Sequence, residues 1–178
     1  LLYGGRPRRS LAFLDELAAH GDLVTVWPQD ENGLIDVPGV FAGLPAGSAV
    51  YCCGPSPLLD AMEAEAEKHP HVTLHLERFR PREGALDGER SAFEVHLDYS
   101  GITVQVGPDQ SIAEALEAAG VEVMTSCREG TCGTCETVVL DGVPDHRDSY
   151  LSPAERASNE VMMICCSRAR TPRLVLDL

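Results

Sequence analysis

Two folded parts of different class are predicted, an α/β part followed by a smaller α+β part, and three observations predict them. Up to about residue 79, β-branched runs of strand length alternate with capped amphipathic helices, the pattern of βαβ units in a parallel sheet covered on both faces. Pro81 to Arg90 then reads PREGALDGER, charged and broken by Pro and Gly, as a linker does. Beyond it come a hairpin, a helix, a cysteine-rich loop and further short strands, with no βαβ alternation. The predicted division is 1–79, a linker over 80–91, and 92–178.

In order, Leu1 to Tyr3 reads as the end of a buried strand, and Ser10 as the N-cap of a helix running to His20 that Gly21 ends. Leu23 to Trp27 and Ser48 to Cys53 are strand-like runs, the second buried. Ser56 and Pro57 suit the N-cap and first position of a helix over Leu58 to His69, and Val72 to Leu76 gives a further strand. After the linker, Phe93 to Tyr99 and Ile102 to Val106 alternate polar and apolar residues around Ser100-Gly101, a hairpin signal. Ser111 and Glu114 form a capping box for a helix that Gly120 closes, and Ser152 and Glu155 form a second. Thr137 to Leu140 is a strand ending in an Asp141-Gly142 turn, Val161 to Cys165 a buried strand, and Arg173 to Leu178 a final edge strand.

Composition narrows the chemistry. With 178 residues and 44% hydrophobic residues, one medium or two small cores are within reach. No run is long enough to span a membrane. A formal charge of −14 argues against nucleic acid and suits docking onto basic protein surfaces. Seven cysteines without a signal peptide point to a reducing, cytoplasmic setting in which thiols bind metal or stay free. The absence of an initiating Met leads us to expect the C-terminal part of a longer protein.

The chemistry concentrates in SCREGTCGTCE, Ser126 to Glu136. Cys127, Cys132 and Cys135 stand at C-x4-C-x2-C spacing and Cys165 lies well downstream, the plant-type ligand pattern of a [2Fe-2S] cluster. Gly130 and Gly133 let the main chain reach φ > 0 and approach a cluster closely, and successive N–H groups there form a nest for negative charge. Four thiolates also suit zinc, but zinc ribbons usually offer two C-x2-C knuckles rather than a three-cysteine loop answered by one residue. Glu129 and Glu136 stand where acidic side chains either steer a basic partner or are simply solvated. Cys52 and Cys166 read as small buried hydrophobes, and the six His residues show no ligand spacing.

Cys53-Gly54-Pro55 after a strand, a capped helix, a strand ending His75-Leu76-Glu77-Arg78-Phe79, and then the cysteine loop resemble the C-terminal portion of the phthalate dioxygenase reductase family. That family includes reductase parts fused to cytochrome P-450. The resemblance implies the second half of a doubly wound NAD(P)H-binding sheet followed by a β-grasp ferredoxin. It implies hydride transfer from NAD(P)H to FMN, then single electrons to the [2Fe-2S] cluster and on to a terminal oxygenase. Cys127, Cys132, Cys135 and Cys165 become the cluster ligands. Cys53, Gly54 and Pro55 would lie beside the nicotinamide, or Cys53 is a buried strand-end thiol. Phe79 would lie over the flavin, or pack at a domain boundary. Arg6, in Gly5-Arg6-Pro7-Arg8-Arg9-Ser10, falls where the adenosine ribose is read; guanidinium groups there suit a 2′-phosphate and favour NADPH, unless they are only a solvated helix start. FMN would be bound by a part upstream of Leu1, so the 178 residues alone should carry electrons without oxidising NAD(P)H efficiently. The acceptor is either a separate Rieske-type dioxygenase or demethylase, or a haem monooxygenase fused upstream, toward which NADPH tilts the reading. A plain ferredoxin carrier and a zinc-stabilised interaction module stand as alternatives.

Overall fold

In the computed structural model, which describes Leu1–Leu178, β1 (Leu2–Gly5) and β2 (Thr25–Pro28) pair in parallel, with Leu2 opposite Thr25 and Gly5 opposite Pro28. The helix expected over Ser10 to His20 shrinks to α1 (Leu14–Ala18). Ser10 does not cap it: its hydroxyl donates back to the Pro7 carbonyl at 2.8 Å and closes a 3-10 turn over Arg8–Ser10. Such local bonds compete with helix. Two short helices, α2 (Gln29–Asn32) and α3 (Val37–Ala42), fill a stretch whose sequence reads only as turn-rich. Asp36 caps α3 by accepting from Gly39 N at 3.1 Å, and α3 buries Val37 and Phe41.

β3 (Ala49–Cys53) leads into α4 (Ser56–Ala66) and then β4 (Thr73–Glu77), which hydrogen-bonds to β3. Ser56 is the first helical residue rather than the cap, and the Pro55 carbonyl accepts from both Leu58 and Leu59 N–H groups. The strand and helix alternation is as expected, but the strands bond as two separate pairs. Nor are they buried: β1 and β3 alternate exposed and half-buried positions, and Tyr51 of β3 is exposed, stacked on His75 of β4 at 4.5 Å.

The remaining elements are β5 (Phe93–Leu97), β6 (Thr103–Val106), α5 (Ile112–Ala118), β7 (Glu136–Asp141), β8 (Pro144–Asp145), α6 (Pro153–Ser158), β9 (Val161–Met163), β10 (Arg168–Ala169) and β11 (Arg173–Leu176). Five strands form one sheet in the order β6-β5-β11-β7-β9, with β5 and β11 parallel and the other pairs antiparallel. β11 is therefore central and not an edge strand. Its Leu174 and Leu176 are fully buried, and a sheet is not obliged to follow chain order. β5 and β6 point Phe93, Val95, Leu97, Val104 and Val106 inward, as their alternation requires. α5 lays Ile112, Ala113, Ala115 and Leu116 into the same core, giving the β-grasp arrangement of a mixed sheet and a crossing helix. Both capping boxes form: Ser111 with Glu114, and Ser152 with Glu155.

By compactness the chain divides into Leu1–Ser48 with Ala61–Thr73, and Ala49–Asp60 with Leu74–Leu178. Within the latter, the linker-like residues lie as a strap. Arg82 N donates to Ser149 Oγ at 2.8 Å, Arg147 Nη2 to the Glu89 carbonyl at 2.6 Å and Arg168 Nη2 to the Ser91 carbonyl at 3.0 Å. Arg168 is buried over the Phe93 ring at 5.2 Å, and burial followed by the charges of Arg147 and Arg90 lowers its pKa. No helix is long and apolar enough to cross a membrane.

Candidate metal centre

The cysteine loop enters directly after α5 and leaves directly into β7, so two core elements fix its ends. At its start Arg128 adopts φ 57°, a left-handed conformation that costs a non-glycine residue about 1 kcal/mol or more. Its guanidinium is anchored to Glu117 of α5 at 2.7 Å. Gly130 follows at φ 71°. These conformations turn the Glu129 and Thr131 N–H groups inward, each 3.4 Å from Cys127 Sγ, which is the nest expected around a charged sulfur. Farther on, Cys132 Sγ lies 3.3 Å from Thr134 Oγ1.

Cys165 arrives from the other side. The strand expected to run to Cys165 stops at Met163, where a turn forms with Cys166 N and Ser167 N both donating to the Met163 carbonyl. That turn carries Cys165 to the loop, and two bonds fix its approach: Ile164 N to the Cys135 carbonyl at 3.3 Å and Ala113 N of α5 to the Ile164 carbonyl at 3.1 Å.

The four thiols gather at one place: Cys127 interacts with Cys132, and Cys135 with Cys165 and more weakly with Cys127. No three His, Cys, Asp or Glu side chains converge on one point that would hold a single ion. A two-iron cluster is held by four thiolates, and the four thiols brought together here fit that donor set. Electrostatics agree. Burial pushes the Cys127 thiol up, but bonds from the Thr131 side chain and from the Glu129 and Thr131 N–H groups outweigh it and hold Cys127 down at about 6. Cys135 is pushed well up, first by Cys165 and then by burial. Cys165 gains from its bond with Cys135, yet Cys166 and burial still push it up to about 12. A buried dithiol of that kind needs a cation to ionise both sulfurs.

Other cysteines lie apart from this constellation or beside it. Cys166 is half-buried, and its thiol occupies the space that a side chain at Gly130 would need. Cys52 is half-buried and Cys53 exposed, so neither is a buried hydrophobe. Cys53, Gly54 and Pro55 join β3 to α4, Phe79 is 66% exposed just beyond β4, and Arg6 is exposed at the end of β1. Arg8 is committed to Glu31 through two bonds of 2.7 Å.

Sequence reasoning missed one part of the site, His146-Arg147-Asp148-Ser149-Tyr150. Ser149 N donates to the Gly130 carbonyl at 2.8 Å, and the Tyr150 ring lies where a side chain at Gly133 would stand. Asp148 is buried and organises that turn. The available signal was a charged run, HRD, between two apolar strands, and charge alone does not distinguish a buried turn from a solvated one.

A β-grasp unit whose loop gathers four thiols is the class of fold that holds a [2Fe-2S] cluster. Residues 95–170 match the 2Fe-2S iron-sulfur cluster binding domain. The chain is 47% identical over 180 residues to phenoxybenzoate dioxygenase subunit beta of Ectopseudomonas oleovorans, covering 100% of this chain and 56% of that protein. It is 40% identical over 181 residues to the carnitine monooxygenase reductase subunit of Acinetobacter baumannii, with the same coverage. Among solved structures, full-length CYP116B46 from Tepidiphilus thermophilus superposes with a TM-score of 0.84 at 46% identity, over 100% of this chain and 24% of that one. Phthalate dioxygenase reductase gives 0.56 at 35% identity, over 100% and 56%. The chain belongs to the phthalate dioxygenase reductase family, and it spans about half the length of the curated relatives it matches.

Proposed function

We propose that this chain is the electron-delivering end of an NADPH- and FMN-dependent reductase that serves a terminal oxygenase. Cys127, Cys132, Cys135 and Cys165 would together hold a [2Fe-2S] cluster. The gathering of the four thiols, with two main-chain N–H groups aimed at Cys127 Sγ, is the observation that carries this reading. The cluster, when bound, supplies a one-electron store with a potential near about −400 mV. The protein's share is to hold and tune it. The N–H groups of Glu129 and Thr131 donate to Cys127 Sγ and so favour added negative charge, while Met163, Ile164 and Leu151 exclude water from the inner side. Exposed Cys132 and Thr134 leave the outer side open to a partner.

FMN binds to a part of the protein outside these residues, and residues 1–79 complete the nicotinamide site, with Cys53, Gly54, Pro55 and Phe79 near the reacting rings. Arg6 contributes to selection of the 2′-phosphate. Because Arg8 is already paired with Glu31, Arg6 and Arg9 are the guanidinium groups at hand. The acceptor we favour is a haem monooxygenase fused in the same protein, since the full-length CYP116B46 chain superposes over the whole of this one. A separate oxygenase component is the second reading, supported by the 47% identity to a dioxygenase subunit. A haem-thiolate Soret band in the CO-difference spectrum of the intact protein supports fusion. Its absence, with iron and FMN present, supports a separate acceptor. Zinc in place of iron overturns the proposal.

A further inference from the structure

The Asp148 side chain is completely buried, with Arg156 as its cationic partner. One carboxylate oxygen, Oδ1, accepts from Tyr150 N at 3.0 Å, from Leu151 N at 2.7 Å and from Arg156 Nη2 at 3.5 Å. Arg156 Nη2 also donates to the Asp148 main-chain carbonyl at 2.8 Å. These bonds fold residues 148–151 into a tight turn, and the turn presses on both glycines of the cysteine loop. The Asp148 Cα would lie 2.9 Å from a Cβ at Gly130, Ser149 N donates to the Gly130 carbonyl at 2.8 Å, and the Tyr150 ring covers Gly133. Gly130 sits between the two N–H groups aimed at Cys127, and Gly133 between Cys132 and Cys135. Both points at which the loop could relax are therefore held by one turn, and one buried oxygen, Asp148 Oδ1, gathers that turn's N–H groups.

We infer that Asp148 is a positioning residue for the cluster: through its Oδ1 it seats the 148–151 turn on Gly130 and Gly133 and so fixes the N–H groups that face Cys127. This rests on the cluster reading above. Burying a carboxylate is costly unless it is satisfied, and here the cost is met by a role that an uncharged acceptor of the same shape would also fill. The second oxygen, Oδ2, has no bonding partner, and neither has Nδ1 of His146, 3.8 Å away. The turn thus uses the acceptor and not the second oxygen. Asn at this position keeps the acceptor and supplies an N–H₂ group facing His146 Nδ1.

The test uses the intact protein with its cluster, comparing Asp148→Ala, Asp148→Asn and, as a control, Gly101→Ala, which strains the turn between β5 and β6 in the same unit, where φ is 68° and the surroundings are open. Readouts are the EPR g-values after dithionite reduction and the rate of iron loss to a chelator. Outer-shell partners of a metal site usually matter by roughly 10- to 100-fold. Asp148→Ala should lose iron about ten-fold faster or more and show altered g-values, while Asp148→Asn and Gly101→Ala keep wild-type g-values and lose iron within about two-fold of wild type. Wild-type behaviour of Asp148→Ala, or equal damage in Asp148→Asn, overturns the inference. Should Asp148→Ala fail to fold, Asp148→Glu decides, because it keeps the charge and moves the acceptor by one methylene away from the Tyr150 and Leu151 N–H groups: faster iron loss supports the inference and an unchanged rate overturns it. A wild-type protein without iron or a rhombic EPR signal defeats the cluster reading itself, which is a separate failure.

Discussion

Single residues decide whether the loop binds metal and which metal it binds. Cys165 is the one candidate ligand from outside the loop, and Cys166 beside it has its thiol where a side chain at Gly130 would stand. Cys165→Ser should abolish the EPR signal of the reduced cluster, whereas Cys166→Ala should retain it. A signal that survives the first change and vanishes with the second would move the ligand to Cys166. Gly133 has a second reason to be glycine besides its φ of 76°, since a Cβ there would run into the Tyr150 ring. Gly133→Ala combines a left-handed penalty of about 1–2 kcal/mol with that collision, and it should lower iron content per chain, measured by metal analysis, more than Gly101→Ala does. Gly101 also has positive φ, but only open space around it.

At the scale of elements, α5 connects the core to the site. It buries Leu116 completely, and its Ala113 N–H fixes the turn that delivers Cys165. Loss of the Ser111 cap in Ser111→Ala should cost about 1 kcal/mol of unfolding free energy, and Leu116→Ala about 2–5 kcal/mol, both read from denaturant titration. The caps also set a pH dependence. Bonds from the Ser111 main-chain N–H and then its hydroxyl hold the Glu114 carboxyl below its ordinary value of 4.5, and Ser152 does the same for Glu155. A lowered folded-state value means that this stabilisation is present at neutral pH and is lost as pH falls through and below 4.5. Denaturant midpoints should therefore drop on acidification, and less so in Glu114→Gln with Glu155→Gln; an equal drop in that double variant would assign acid sensitivity to other carboxylates. Elements were also where the sequence was most and least legible. The two capping boxes, the hairpin over residues 93–106 and the Asp141-Gly142 turn are written in local residue types and were found. The helix after Ser10 was not, because its hydroxyl has two possible partners and takes the one behind it. The central place of β11 was hidden for a different reason: sheet order is set by long-range pairing, which alternation along the chain does not encode.

Taken whole, the molecule couples an acidic exterior, formal charge −14, to an exposed stretch of metal-binding loop. Attraction between such a surface and a basic acceptor is screened by salt over roughly 8–10 Å at physiological ionic strength. Electron delivery to a separate acceptor should therefore slow as salt is raised, whereas delivery within a fused protein should be nearly salt-independent; stopped-flow haem or Rieske reduction at several salt concentrations separates the two. Three of the four candidate ligands, Cys127, Cys132 and Cys135, follow a local C-x4-C-x2-C spacing, whereas Cys165 stands far downstream. The turn that seats them could not be read from spacing, because Asp148 acts through burial and through contacts with residues far away in sequence, and only the folded chain brings it beneath Gly130. The most direct measurement of the central claim is low-temperature EPR of the dithionite-reduced protein alongside iron, zinc and flavin analysis. A rhombic S = 1/2 signal with two irons per chain is the predicted result. Stoichiometric zinc and no EPR signal would contradict it and leave a structural metal site in place of an electron carrier.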